Sequence, residues 1–147
     1  MFKKLKENKK KGFTLVELIV VLVILAILAA LLIPALTGYI DKAKNKSVIA
    51  ETRQAVMAAQ TLVDEAYGKK DVGGTIAIGT DVTTGQIEDL AELAAGSVTN
   101  VTLDTDNTKA NEKIKVKTLT YTKGNKICTY QPAGTNNSDG DYNVTNK

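Results

Sequence analysis

The chain has 147 residues, 44% of them apolar, with 19 Lys and Arg against 16 Asp and Glu, one Cys, and neither His nor Trp. At ~100–200 residues per domain, this length allows one domain and an appendage. The lack of His excludes Ser-His-Asp and Cys-His catalysis and His-ligated metals, and a lone Cys excludes an internal disulfide and a Cys-rich zinc site. The formal charge of +3 points to an anionic partner only if the basic residues lie on a working surface.

They are concentrated at the start. Residues 1–12 hold Lys3, Lys4, Lys6, Lys9, Lys10 and Lys11 against Glu7 alone. Residues 13–40 are apolar at 23 of 28 positions, with an unbroken run of 16 over 18–33, whereas 41–147 are apolar at only 38 of 107. The first part belongs in lipid or another dry environment, and the second is a polar globular domain. A Lys-rich segment abutting an apolar stretch of about 20 residues stays on the cytoplasmic side. The apolar run exceeds the ~7–15 residues of a secretory signal core, and no Cys follows it to take a lipid. Hydropathy alone therefore predicts a signal anchor holding a domain outside the membrane.

Hydropathy does not explain Glu17. A carboxylate at the edge of the hydrocarbon costs several kcal/mol unless it finds a partner. If the chain is cut between Gly12 and Phe13, the new α-amino group is cationic near neutral pH. Glu17 lies four residues along a helix from it, on the same face, where the macrodipole also favours an acid. On this expectation the acid gains its partner only once the lysine segment is removed.

The stretch Lys11-Gly12-Phe13-Thr14-Leu15-Val16-Glu17, running into the apolar segment and then Pro34, resembles the leader junction and N-terminal helix of type IV pilins and pseudopilins, including subunits of type II secretion and competence machinery. The likeness covers roughly residues 1–60. It implies that a prepilin peptidase cuts after Gly12 and that Phe13 becomes the N-methylated first residue. It also implies that Glu17 serves assembly by neutralising a neighbour's terminal amine, and that Pro34 stands where the family helix bends or melts in the filament. Independently, proline removes an N–H and clashes with the carbonyl four residues back, weakening the ladder near Ala30.

A helix apolar all round must be buried on every side. For a subunit that leaves the bilayer, a bundle of identical helices supplies that burial. Such cohesion is non-directional, so register must come from something sparse and polar, and Glu17 is the candidate.

Beyond residue 40 the helical period persists in amphipathic form. Ile40, Ala43, Val48, Ala55, Ala59, Val63 and Ala66 mark the apolar positions, weakening at Glu51 and Thr52, and Gly68 is the stop. Residues 13–67 thus form one predicted helix, with 41–67 as its amphipathic continuation. Residues 68–147 form a head that opens with a Gly- and Thr-rich loop and a short strand at 75–78. Thr83 and Gln86 then make a capping box for a short helix through Ile87, Leu90 and Leu93/Ala94, stopped by Gly96. Strands follow at 98–103, 113–122, 126–131 and 142–145, with a polar turn at 104–111 and a hairpin at Gly124-Asn125. The expected fold class is α+β, a long helix on a small antiparallel sheet.

Many pilins close their C-terminal segment with a disulfide. Cys128 has no partner, so hydrogen bonding, hairpin packing or an ion must hold the tail, and Cys128 is expected to be a small buried hydrophobe. Disulfide-free closure is similar to Gram-positive pilins. Asn137, Asp139, Asp141 and Asn143 alternate as calcium ligands would. Tyr142 stands where that loop needs glycine, and Asx-rich clusters usually form turns, so no cofactor is expected and calcium is the only candidate ion. Lys113, Lys115 and Lys117 on one strand face, with Lys123, Lys126, Tyr121 and Tyr130 nearby, suggest a nucleic-acid patch, although alternating lysines more commonly protect a sheet from aggregation. Asp64-Glu65 and Glu88-Asp89 are expected to be surface acids, and three Asn-x-Ser/Thr triplets are weak glycosylation signals.

The expectation is a non-enzymatic prepilin. Residues 1–12 are its cleaved leader and 13–40 its membrane and filament-core helix. Its partners are the bilayer, the peptidase, an assembly platform and copies of itself; nucleic acid is not expected. A pseudopilin of secretion or competence is the first alternative, and a membrane-anchored binding module that never polymerises is the second. The leader carries six of the basic residues and one acid; without it the remaining 13 basic and 15 acidic side chains leave a net −2.

Overall fold

The computed structural model describes residues 12–71, 73–104, 114–131 and 142–147. The chain divides into two compact units, Met1–Asp41 and Lys42–Lys147. Helix α1 (Leu15–Gly68) supplies residues to both. The predicted polar turn at 104–111 and most of the tail lie outside the described residues.

In the first unit, α1 is exposed on every side. Leu31, Leu32 and Ile33 are 70%, 64% and 59% exposed, and successive helical residues point about 100° apart. The helix is long and apolar enough to cross a membrane. It runs through Pro34 without interruption, and Thr37 Oγ1 donates to the Pro34 carbonyl at 2.9 Å.

In the second unit, α1 buries Val48, Thr52, Ala55, Ala58, Ala59 and Val63. The weakened period at Thr52 is no break: Thr52 is fully buried, and its hydroxyl donates to the Val48 carbonyl at 2.7 Å, so the polar atom is satisfied within its own helix. Helix α2 (Thr84–Leu90) opens with the predicted capping box, in which Thr83 accepts from the Gln86 amide and Gln86 accepts from the Thr83 amide. Its Ile87 is fully buried. No strand forms at 75–78; only a single bridge links Ile78 to Val82. That segment is instead pinned by Asp81, whose carboxylate accepts from Lys70 and the Ala77 amide, each at 2.8 Å. The Lys70 hydrogen bond, joined by the Ala77 amide, holds the Asp81 carboxyl below its ordinary range.

Four strands form an antiparallel meander in the order β1 (Val98–Asp104), β2 (Lys115–Lys123), β3 (Lys126–Tyr130) and β4 (Tyr142–Asn146). The β2–β3 hairpin turns at Gly124-Asn125 as expected, with Lys123 opposite Lys126. Of the two turn residues only Gly124 has positive φ, +57°, the pattern of a type II′ turn. The β1–β2 pairing slips twice. Between Thr99 and Thr102 there is one more residue on β1 than on β2, and the next step restores the register by skipping Lys117. Asn100, at φ +50°, supplies the left-handed residue at the first slip, a conformation Asn tolerates. The slips explain a contradiction in β2. Lys115 and Lys117 are exposed, while Leu119 and Tyr121, of the same parity, are buried, because an irregularity in the ladder exchanges the faces.

The core joins these elements. Val48, Ala55, Ala59 and Val63 of α1 pack with Ile76, Val82 and Ile87, and with Val98, Val116, Leu119, Tyr121 and Cys128 of the sheet. A long helix with a small antiparallel sheet is the α+β class expected.

Candidate assembly site at the helix start

Gly12, Phe13 and Thr14 precede α1 in non-helical conformation, and all three are exposed. Phe13 is 75% exposed. The Gly12–Phe13 peptide bond therefore lies outside the helix, in a stretch of backbone that an enzyme can reach. The helix begins where Thr14 and Glu17 satisfy one another. The Glu17 carboxylate accepts from the Thr14 amide at 2.9 Å, and the Thr14 hydroxyl accepts from the Glu17 amide at 3.3 Å. This reciprocal pair has the logic of a capping box, satisfying two amides that an α-helix start leaves unpaired.

That pair corrects the expectation that Glu17 gains a partner only after cleavage. In the uncut chain the acid already has one, the backbone N–H of Thr14. The spacing Thr-x-x-Glu at Thr14 and Glu17 is the sequence signature of this pair. Any later role for Glu17 must begin from this bonded state.

The remaining candidates separate clearly. Asn137, Asp139 and Asp141 lie outside the described residues, and Asn143 is an exposed position on β4. Among the described residues no group of three or more His, Cys, Asp or Glu side chains could hold a metal ion. Cys128 is buried, and burial pushes its thiol up from the ordinary range despite a side-chain hydrogen bond with Thr52. The nucleic-acid patch does not assemble as drawn. Lys115 and Lys117 are exposed, but Lys123 pairs with Glu51 at 2.5 Å, Lys126 is buried, and Tyr121 is only 3% exposed and cannot stack a base. Lys113 lies outside the described residues. Asp64 and Glu65 are exposed, as expected of surface acids. Glu88 is not: it is buried, and its two oxygens accept from the Gly96 amide at 2.9 Å and the Val98 amide at 2.8 Å, tying α2 to the start of β1.

Sequence reasoning missed three connections. Glu51 takes hydrogen bonds from Tyr121 and Lys123, and the counts of charge and period contained no sign of them. Gln60 pairs with the backbone of β2 as another strand would: its amide donates to the Ile114 carbonyl at 2.8 Å and accepts from the Val116 amide at 2.9 Å. Arg53 lies over the Tyr142 ring at 5.1 Å from its centroid, and that ring packs tilted against Tyr130 at 5.2 Å. With five residue pairs between β3 and β4, the Arg53 and Tyr130 contacts of Tyr142 hold β4 to the rest of its unit.

No solved structure matches the chain. Residues 8–33 match the family described as the prokaryotic N-terminal methylation motif. The match spans the Gly12–Phe13 junction, the Thr14–Glu17 pair and the apolar run up to the residue before Pro34. This is the class III leader, which implies processing by a prepilin peptidase and assembly into filaments. With that leader, a long apolar helix and a small antiparallel sheet, the chain is similar to type IV pilins and pseudopilins.

Proposed function

We propose that this protein is a structural subunit of a type IV pilus. It is made as a membrane-inserted prepilin with the lysine segment inside, cut between Gly12 and Phe13 and methylated on the new terminus. It then polymerises through its apolar helix into a surface filament serving motility or adhesion. The observation that carries this reading is the exposed, non-helical Gly12–Phe13 junction, followed within four residues by the helix-capping Glu17 and then by a helix apolar on all sides. Cohesion comes from the apolar surface, and Glu17 sets docking and register, exchanging the Thr14 amide for the cationic amine of a neighbouring subunit. Pro34 provides the point of lowest helical stability, because the carbonyl of Ala30 receives no bond from it.

Mass spectrometry of material sheared from the cell surface tests the processing. A chain beginning at Phe13 and carrying one added methyl group is expected, and full-length protein beginning at Met1 as the only form removes the reading. Electron microscopy of the same cells separates long surface filaments from the short periplasmic or wall-spanning assembly of a pseudopilin. Glu17→Ala is expected to be cut normally yet to leave cells without filaments; wild-type filament yield from that variant refutes the role given to the acid.

A further inference from the structure

In the second unit, α1 has two stripes. One is the core face already described. On the opposite side Ala43, Ser47, Ala50, Gln54, Met57 and Thr61 are all exposed, recur at alternating intervals of four and three, and carry no charge. Intervals of four and three keep these positions on one face of the helix, as the contact face between two helices requires, and the small residues allow backbones to approach closely. Towards the upper end of this stripe lies a groove of about 450 Å³ whose walls include Gln54, Met57, Thr61, Leu90 and Glu92. Two large apolar side chains are exposed there: Met57 is 70% and Leu90 52% accessible.

Charge is unevenly spread along the same length of chain, although Asp41 adjoins the lower cations and Lys69 follows the upper anions. Lys42, Lys44 and Lys46 are exposed at the lower end of the stripe; at its upper end Asp64 and Glu65 are exposed on α1, and Asp89 and Glu92 around α2. The ion pairs described above, Lys70 with Asp81 and Lys123 with Glu51, do not use them. In register, two parallel copies would set lysines against lysines. An antiparallel pair would satisfy the charges but send the two apolar segments in opposite directions, which a single-pass precursor in one membrane does not allow.

We propose that the groove is the seat for residues 42–47 of a second copy of this chain, lying parallel and shifted along the helix axis. Ala43 and Ser47 of the incoming copy face Met57, Thr61 and Leu90, while its three lysines flank Asp64, Glu65, Asp89 and Glu92. The shift from the lysines to the seat is 13–20 residues, about 20–30 Å at ~1.5 Å per residue. The contact is heterologous: each copy offers a lower surface to one neighbour and an upper surface to another. Repetition therefore extends the assembly without closing a dimer. The inference rests on the polymer reading above, and it adds the surface in the head that fixes the axial offset between subunits.

The test uses the full chain in cells that carry an assembly machinery. Ser47→Cys and Thr61→Cys are introduced together and the surface material is mildly oxidised. Within one chain these sites are 14 residues apart, about 21 Å along the helix, well beyond the ~4.4–6.8 Å between Cα atoms that a disulfide spans. The expected result is a ladder of covalent multimers from the double variant and none from either single variant. A second arm reverses charge. Lys44→Glu with Lys46→Glu is expected to lower filament yield on the order of tenfold, and adding Asp64→Lys with Glu65→Lys to restore it. Normal cleavage and membrane abundance in each variant report that the chain is inserted intact. Filaments without a ladder, or a fourfold variant no better than the twofold one, overturn the seat while leaving the polymer reading in place. A wild type that forms no polymer overturns both.

Discussion

Glu51 joins helix to sheet through one carboxylate, which accepts from the Tyr121 hydroxyl and from the Lys123 ammonium. Partial burial works to raise its pKa, but the Lys123 and Tyr121 hydrogen bonds and the Lys123 charge outweigh it, so the carboxyl lies below its ordinary 4.5. Tyr121 responds in the opposite sense: burial and the bond to Glu51 push its phenol well up. A depressed carboxylate stabilises the fold above its unfolded pKa, and that contribution is lost as pH falls through the folded value. Thermal melts of the wild type are therefore expected to weaken as pH drops below about 5, and Glu51→Gln to flatten that part of the slope. Lys123 is 55% exposed, so its ion pair contributes only about 0.5 kcal/mol. Tyr121→Phe, which strips a hydrogen bond from a buried phenol, is expected to cost about 1–2 kcal/mol by chemical denaturation.

Among the elements, the join between α1 and β2 depends most on one side chain. Gln60 extends the ladder at Ile114 and Val116 with its own amide, so Gln60→Ala leaves a carbonyl and an N–H without partners in a partly buried position. A loss of about 2 kcal/mol is expected, with faster hydrogen exchange at Val116 as the local readout. Gln60→Glu retains the acceptor for Val116 but loses the donor for Ile114, so it should fall between the two. Which parts of this architecture could be read from sequence follows from the range of the forces involved. The long helix, the Thr83 capping box, the Gly124-Asn125 hairpin and all four strands rest on local period and turn chemistry, and the expected and observed bounds differ by at most two residues. The strand expected at 75–78 failed because its backbone partners are Lys70 and Asp81 side chains. The exchange of faces along β2 comes from slips in its pairing with β1, which no property of β2 alone reveals. Glu88 reads as a surface acid until Gly96 and Val98 fold back over it. At the candidate site, the junction, the acid and the apolar run were legible as a linear motif. The pairing of Glu17 with Thr14 is equally local, and it exists in the uncut chain, where the α-amine of Phe13 does not.

For the whole molecule, the opening charge balance takes a different meaning. Five net positive charges lie in residues 1–12 and the rest of the chain carries −2, so the basic character belongs to the segment that the leader motif marks for removal. Along α1 the remaining charges run from Lys42, Lys44 and Lys46 near Asp41, past Glu51 and Arg53, to Asp64 and Glu65. The same scale accounts for closure of the tail. With Cys128 buried and unpaired, the melting temperature of the full chain in detergent is expected to be the same with and without a reducing agent. Tyr142→Ala removes a ring that touches both Tyr130 and Arg53, and is expected to cost about 2–3 kcal/mol; a shift in melting temperature within error would mean that backbone pairing alone holds β4.

The closure of β4 also has a mechanical meaning. A covalent link fails only when a bond breaks or is reduced, whereas β4 is held by a row of backbone bonds to one neighbour and two ring contacts. Drawn away from β3 at one end, it opens one residue pair at a time, and each step needs little force and reverses when the load is released. If the chain polymerises as proposed, a filament of such heads would yield under a sudden pull by letting this strand peel and recover.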